Sequence, residues 1–215
     1  MDGVDRVETV TRRRALARGY VFARGVLDSA PLAELRAQVI GICERCGWLT
    51  GRKGFAYDAP EFFELQREVQ VLPSFQAVRA VPALRDLLER VLGGEIRDQQ
   101  GDVCRMLFPG APEFTTPPHQ DQTYLKRAEE VWGAWIPLGD CPRKMGSLSV
   151  LPRSNRCGVT SAPPAGLRWR NFDFGAGDVL LVNSMTWHRA LENRSSEIRV
   201  SVDLRYCAGV PARAG

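Results

Sequence analysis

Arg199-Val200-Ser201-Val202-Asp203-Leu204-Arg205-Tyr206 alternates polar and apolar side chains through its length. Successive side chains of a β-strand point to opposite faces, so Val200, Val202 and Leu204 share one face and Arg199, Ser201, Asp203 and Arg205 the other. If the apolar face packs on helices, the polar face lines the inside of a barrel. That is a costly position for arginine unless it meets an anion.

Working upstream, short apolar or alternating runs separated by Gly, Pro, Asn and Asp predict strands at 102–108, 115–121, 131–138, 146–151, 178–183, 186–190 and 197–206. Before Gly94 the spacing changes to three and four. Leu32, Leu35, Val39, Ile42 and Cys46 make the stripe of a helix over 29–47, with Asp28 or Ser29 as N-cap and Pro31 in its first turn. Leu84, Leu87, Leu88 and Val91 make a second over 82–92, opened by Pro82 and closed by Gly93-Gly94. A third helix is expected over 60–70, after Asp58 and Pro60. This order predicts a mainly β protein with flanking α: a cupin-like double-stranded β-helix, or jelly roll, over 96–207, braced by the helical portion 1–95. A length of 215 residues with 44% hydrophobic content suits a single domain, 1–215.

The 29 basic residues against 25 acidic ones leave a net charge of +4, and lysine occurs only at Lys53, Lys126 and Lys144. Arg12-Arg13-Arg14, the one dense basic run, has no interleaved aromatic residues and reads as a solvated terminus, so no nucleic-acid partner is expected. No stretch is apolar enough for a signal-peptide core or a membrane span, which predicts a cytoplasmic protein without a membrane partner. Six cysteines without a secretion signal fit reduced thiols. Cys43 and Cys46 form a C-x-x-C that could open a zinc site or a redox pair, but it sits on one face of the first helix with no second pair to answer it.

The chain has two histidines, His119 and His188. His119 and Asp121 lie two apart at the end of a predicted strand and so face the same way, while His188 follows the strand Gly177–Asn183. Two imidazoles and a carboxylate on one face leave three positions of an octahedron open, which suits non-haem Fe(II) binding a cosubstrate and O₂. Each residue read alone is also compatible with ordinary packing. Arg199, 11 residues past His188 (199 − 188 = 11), is placed to hold the far carboxylate of a dicarboxylate bound at the iron, or to make an ion pair at the barrel rim.

The ordered set His119-Gln120-Asp121, Trp135-Ile136-Pro137-Leu138, Gly146–Asn155, Gly177-Asp178-Val179-Leu180-Leu181, His188-Arg189-Ala190-x-x-Asn193 and Arg199 resembles the phytanoyl-CoA dioxygenase family of Fe(II)/2-oxoglutarate oxygenases over residues 100–206, and more loosely over Arg18–Trp48. The resemblance implies His119, Asp121 and His188 as iron ligands, Arg199 as partner of the 2-oxoglutarate side-chain carboxylate, and Gln120 and Trp135 as lining of the cosubstrate pocket. It implies Fe(II), 2-oxoglutarate and O₂ as reactants, and hydroxylation of a small molecule, in secondary metabolism, as the default outcome. Desaturation, ring closure or epimerisation would use the same chemistry, and Asp121 argues against halogenation. Asn155 and Arg153 depart from the family's usual histidine and glycine. Arg105, Arg153 and Arg205 are candidates for contact with an anionic substrate, and segments 51–58, 122–130 and 153–169 are candidate substrate loops. The rival readings are a cupin-like metal enzyme without 2-oxoglutarate and a non-catalytic ligand-binding jelly roll. The sequence does not set an oligomeric state.

Overall fold

A computed structural model describes residues 9–50, 54–56, 58–125 and 129–209. Helices α1 (Arg12–Arg18), α2 (Ser29–Arg45), α3 (Pro60–Gln70), α4 (Pro73–Arg79) and α5 (Pro82–Leu92) precede most of the strands, and only β1 (Tyr20–Ala23) is set among them. The strands β2 (Ile96–Leu107), β3 (Val131–Pro137), β4 (Leu148–Val150), β5 (Arg170–Asn171), β6 (Val179–Asn183), β7 (His188–Ala190) and β8 (Arg199–Ala208) follow, with the single-turn helix α6 (Gln122–Leu125) before β3. They form two antiparallel sheets, ordered β1-β6-β3-β8-β2 and β5-β4-β7. This is the jelly roll with bracing helices.

Local chemistry sets the helix ends. Proline opens α3, α4 and α5, where its missing N–H has no intrahelical role. Gly19 and Gly93 close α1 and α5 in the left-handed conformation. Val200, Val202 and Leu204 of β8 join one apolar cluster with Leu32, Leu35 and Val39 of α2 and Leu84, Leu87 and Leu88 of α5. Burying each such leucine contributes roughly 1.5–3 kcal/mol, so packing on the sheet, more than helix propensity, holds these helices. A second cluster fills the space between the sheets, with Tyr20, Phe22, Trp135, Val150, Phe172 and Leu180. There Phe22 and Phe172 pack with their rings tilted by 42° and 4.6 Å between ring centroids.

Some expectations need correcting. Segment 115–121 forms no strand: a 3₁₀ turn covers Pro112–Phe114, and the chain then runs beside β7. Thr116 accepts from the backbone of Ala190 and His119 exchanges two hydrogen bonds with His188, but Pro117 and Pro118 between them have no N–H to give to a ladder. The arginine run is solvated as expected, but it is also helical. It begins α1, and Arg12 reaches the Val91 carbonyl at 2.9 Å and Glu130 at 2.6 Å, while Arg13 and Arg14 are exposed. Cys43 is fully buried with its Sγ 3.3 Å from Met106 Sδ, and among the described residues no metal-ligand cluster includes it. Among the described residues no helix is long and apolar enough to cross a membrane.

Candidate metal centre

The extended segment before α6 and strand β7 bring His119, Asp121 and His188 together. His119 and His188 face each other across a backbone bridge with both N–H···O distances at 3.0 Å, so their rings project on one side, centroids 4.1 Å apart. Asp121 starts the turn of α6, its carbonyl accepting from Tyr124 and Leu125. Its Oδ1 lies 3.3 Å from His119 Nε2 and 3.6 Å from His188 Nε2, and the three ligand atoms all lie within 4.8 Å of one another. Ligands on adjacent octahedral positions about 2.1 Å from an ion are roughly 3 Å apart, so slight closure would seat one.

The protonation states fit a cation. His119 Nδ1 lies 2.9 Å from the Pro117 carbonyl, and His188 Nδ1 lies 2.9 Å from the Thr186 carbonyl. A carbonyl only accepts, so each Nδ1 carries a proton and each ring turns its Nε2 to the centre. Burial, reinforced by the neighbouring His119, lowers the His188 pKa to about 4 and keeps the ring neutral at pH 7. For Asp121, burial works to raise the pKa, but Arg205, with the two imidazoles, outweighs it and holds the carboxyl well below the usual carboxylate range. Such a donor set fits a divalent metal of the iron type.

The inward face of β8 and its neighbours forms a second feature. Arg199 is 3% exposed, and its guanidinium lies 5.5 Å from the centroid of the Trp135 ring. Trp135 Nε1 and Ser201 Oγ are buried with no hydrogen-bond partner among the described residues. Buried donors of this kind cost free energy unless something accepts from them, and beside a guanidinium they suit a carboxylate. Ser201 was in view as a member of the alternating polar face but not as a site residue.

A cavity of about 410 Å³ opens onto His119 and Asp121, lined by Phe62, Val103, Pro117, Tyr124 and Leu125 with Arg105 and Arg205. Arg105 pairs with Asp203 at 3.4 Å, and Arg205 pairs with Asp121. Arg153 is a correction: it is exposed, in a left-handed conformation at φ 68, and lines a separate cleft with Arg156, Arg168 and Trp169. Gln120 is another. Its side chain turns away from its two neighbours and ties down a loop, donating to the carbonyls of Gly158 (2.9 Å) and Met185 (2.5 Å) and accepting from Thr160 N–H (2.9 Å). The alternation expected of a strand over 115–121 would already put Gln120 on the side opposite His119 and Asp121. Asn155, at the departure from the family pattern, donates to the Leu16 carbonyl at 2.8 Å and so helps finish α1. Of the candidate substrate loops, 51–53, 57 and 126–128 lie outside the described residues.

A jelly roll on which two histidines and an aspartate converge is the frame of a cupin-like metal-binding protein. Within that class, the chain belongs to the phytanoyl-CoA dioxygenase (PhyH) family, whose profile matches residues 16–201. The 1-deoxypentalenic acid 11-beta-hydroxylase of Streptomyces arenae is 26% identical over 236 residues, spanning 87% of this chain and 76% of that enzyme. Its counterpart in Streptomyces exfoliatus is 25% identical, spanning 95% and 84%. Among solved structures, the non-heme alpha ketoglutarate dependent epimerase SnoN from nogalamycin biosynthesis superposes with a TM-score of 0.72 at 20% identity, over 94% of this chain and 83% of SnoN. At that identity the likeness establishes the fold.

Proposed function

We propose that this protein is an Fe(II)- and 2-oxoglutarate-dependent oxygenase that oxidises a small-molecule substrate at an unactivated carbon, with hydroxylation as its default outcome and secondary metabolism as its setting. The observation that carries the reading is the convergence of two Nε2 atoms, each ring fixed by an Nδ1–H···O=C bond, on one oxygen of a buried carboxylate. Membership of the PhyH family and the hydroxylase relatives support it. Bound iron with its cosubstrate would supply the oxidising power: 2-oxoglutarate and O₂ become succinate and CO₂, and the second oxygen atom enters the substrate C–H bond.

The chain's own residues hold, orient and shield. His119, Asp121 and His188 are the metal ligands in this reading. Arg199 takes the far carboxylate of 2-oxoglutarate, with the Trp135 N–H and the Ser201 hydroxyl as further donors. The mostly apolar cavity beside His119 receives the substrate and excludes water, with Arg105 and Arg205 as the cations at its wall. Whether a neutral or an anionic substrate fills it is answered by screening acidic and neutral compounds for stimulated succinate release.

An anaerobic titration of metal-free protein with Fe(II) and then 2-oxoglutarate tests the assignment. A weak visible metal-to-ligand charge-transfer band is expected in the wild type and a much weaker response in Arg199→Ala. No band at all, or an equal band in the variant, refutes the cosubstrate site.

A further inference from the structure

Arg205 faces the cavity next to the three candidate ligands, where an arginine reads first as an anchor for an anionic substrate. Its contacts give it a different task. Nη2 donates to Oδ2 of Asp121 at 2.9 Å, Nη1 donates to the carbonyl of Gly101, and the backbone N–H is taken by Oδ1 of Asp102 at 2.9 Å. The other oxygen of Asp102 pairs with Arg79, whose Nη2 also reaches the Arg205 carbonyl at 3.4 Å. With its side chain 7% exposed, Arg205 is fixed from both the backbone and the guanidinium end.

The sequence of β2 builds this grip. Gln99 pairs with Arg205 and Val103 with Asp203, so a step of four residues on β2 (103 − 99 = 4) faces a step of two on β8 (205 − 203 = 2). The surplus forms a bulge with Gly101 at φ 108, a backbone conformation that L side chains rarely adopt. The Gly101 carbonyl accepts from Arg205 there, and Asp102 receives the backbone N–H of Arg205.

We infer that Arg205 is a positioning residue for the metal: by occupying Oδ2 of Asp121 it makes the carboxylate ligate through Oδ1 alone. The inference rests on the metal-centre reading above and deepens it. Two imidazoles and one carboxylate oxygen fill three of six octahedral positions and leave three open. A carboxylate bound through both oxygens takes a fourth. A chelating 2-oxo acid needs two positions, so denticity at Asp121 decides whether a third remains. A charge-assisted guanidinium–carboxylate bond at 2.9 Å is strong enough to make that choice, and losing such an outer partner typically weakens metal binding about 10–100-fold.

The test uses Mn(II) as probe on metal-free wild type, Arg205→Gln and Arg205→Lys. Electron paramagnetic resonance of the free ion gives the affinity, and line broadening in ¹⁷O-enriched water counts the exchangeable waters on the bound ion. Arg205→Gln is expected to bind Mn(II) about 10–100-fold more weakly with one exchangeable water fewer. Arg205→Lys, which keeps one charged donor, should fall between it and wild type. Where Arg205→Gln does not fold, Arg205→Lys decides by the same two readings. Wild-type affinity with a wild-type water count overturns the inference, as does a loss of thermal stability with an unchanged water count. Failure of the wild type itself to bind Mn(II) removes the metal centre and this inference together, whereas binding that ignores residue 205 removes only the inference.

Discussion

Nδ1 of His188 stands 2.9 Å from the carbonyl oxygen of Thr186, and the hydroxyl of that threonine donates to the Gly19 carbonyl at 2.7 Å. A candidate metal ligand is thus braced by the last turn of the first helix. Gly19 adopts φ 80, and a Cβ there would lie 2.3 Å from Thr186 Oγ1. Gly19→Ala is therefore expected to cost about 1–3 kcal/mol from backbone strain and the displaced threonine. Urea unfolding measures it, and a change under about 0.5 kcal/mol would show that Thr186 yields freely.

His188→Ala should abolish succinate production and leave the far-ultraviolet circular dichroism of the fold unchanged. The imidazole is a donor to the metal in the proposed site, while the strand that carries it is held by its backbone pairing to β4 and to His119. Turnover near the wild-type rate would take His188 out of the site.

Adding Mn(II) or anaerobic Fe(II) should raise the melting temperature. At a free metal concentration about 100 times Kd the gain is about 2.7 kcal/mol, which for a chain of this length corresponds to about 5–11 °C. Asp121→Asn should lose most of the increment. Scanning calorimetry with and without a chelator reads it, and equal increments in the two proteins would place the metal elsewhere.

Trp135→Phe keeps the ring packed against Phe174 but removes the buried Nε1–H. One lost hydrogen bond of about 1 kcal/mol predicts a KM for 2-oxoglutarate about 5–10-fold higher. Mn(II) affinity should not change. If KM is unaltered and Mn(II) binding falls, the indole supports the metal instead of the cosubstrate.

Burial pushes the Cys43 and Cys104 thiols up to about 12 and Cys141 to about 11, and it also raises the Tyr206 hydroxyl. The folded state keeps these protons when the unfolded chain has lost them. Their contribution to stability is therefore complete below about pH 8.5 and falls away as pH rises towards 11–12. Unfolding midpoints in urea should decline steadily above pH 9. In the native protein at pH 8, a thiol reagent should label exposed Cys157 first and leave Cys43, Cys104 and Cys141 until unfolding. Prompt labelling of those three would contradict their burial.

Much of the fold was legible because its signals are local. Pro60 and Pro82 mark the starts of α3 and α5, and the β8 alternation separates a helix-facing side from an inward one. The short elements α1, α4, β1 and β5 went unread: seven, seven, four and two residues long, they are too brief to show a period. In the site, the spacing of His119 and Asp121 was visible, whereas the partner that fixes Asp121 was not. Arg205 is 84 positions away and is held toward it at a bulge in β2, which no pattern in either segment announces. Gln120 shows the opposite case: matching a family's position suggested a place in the cosubstrate pocket, whereas its side chain bonds Gly158, Thr160 and Met185 instead.

The bond from Thr186 to Gly19 joins points 167 residues apart, and the adjoining strand β1 is an edge of the larger sheet that can pair only once β6 exists. Closing a loop of that length carries more entropy cost than a local contact does. A chain emerging from the ribosome would have made His119 and Asp121 long before His188, and even then would lack the brace that aims His188. A metal ion would on this account find His188 fully aimed only after Thr186 has met Gly19.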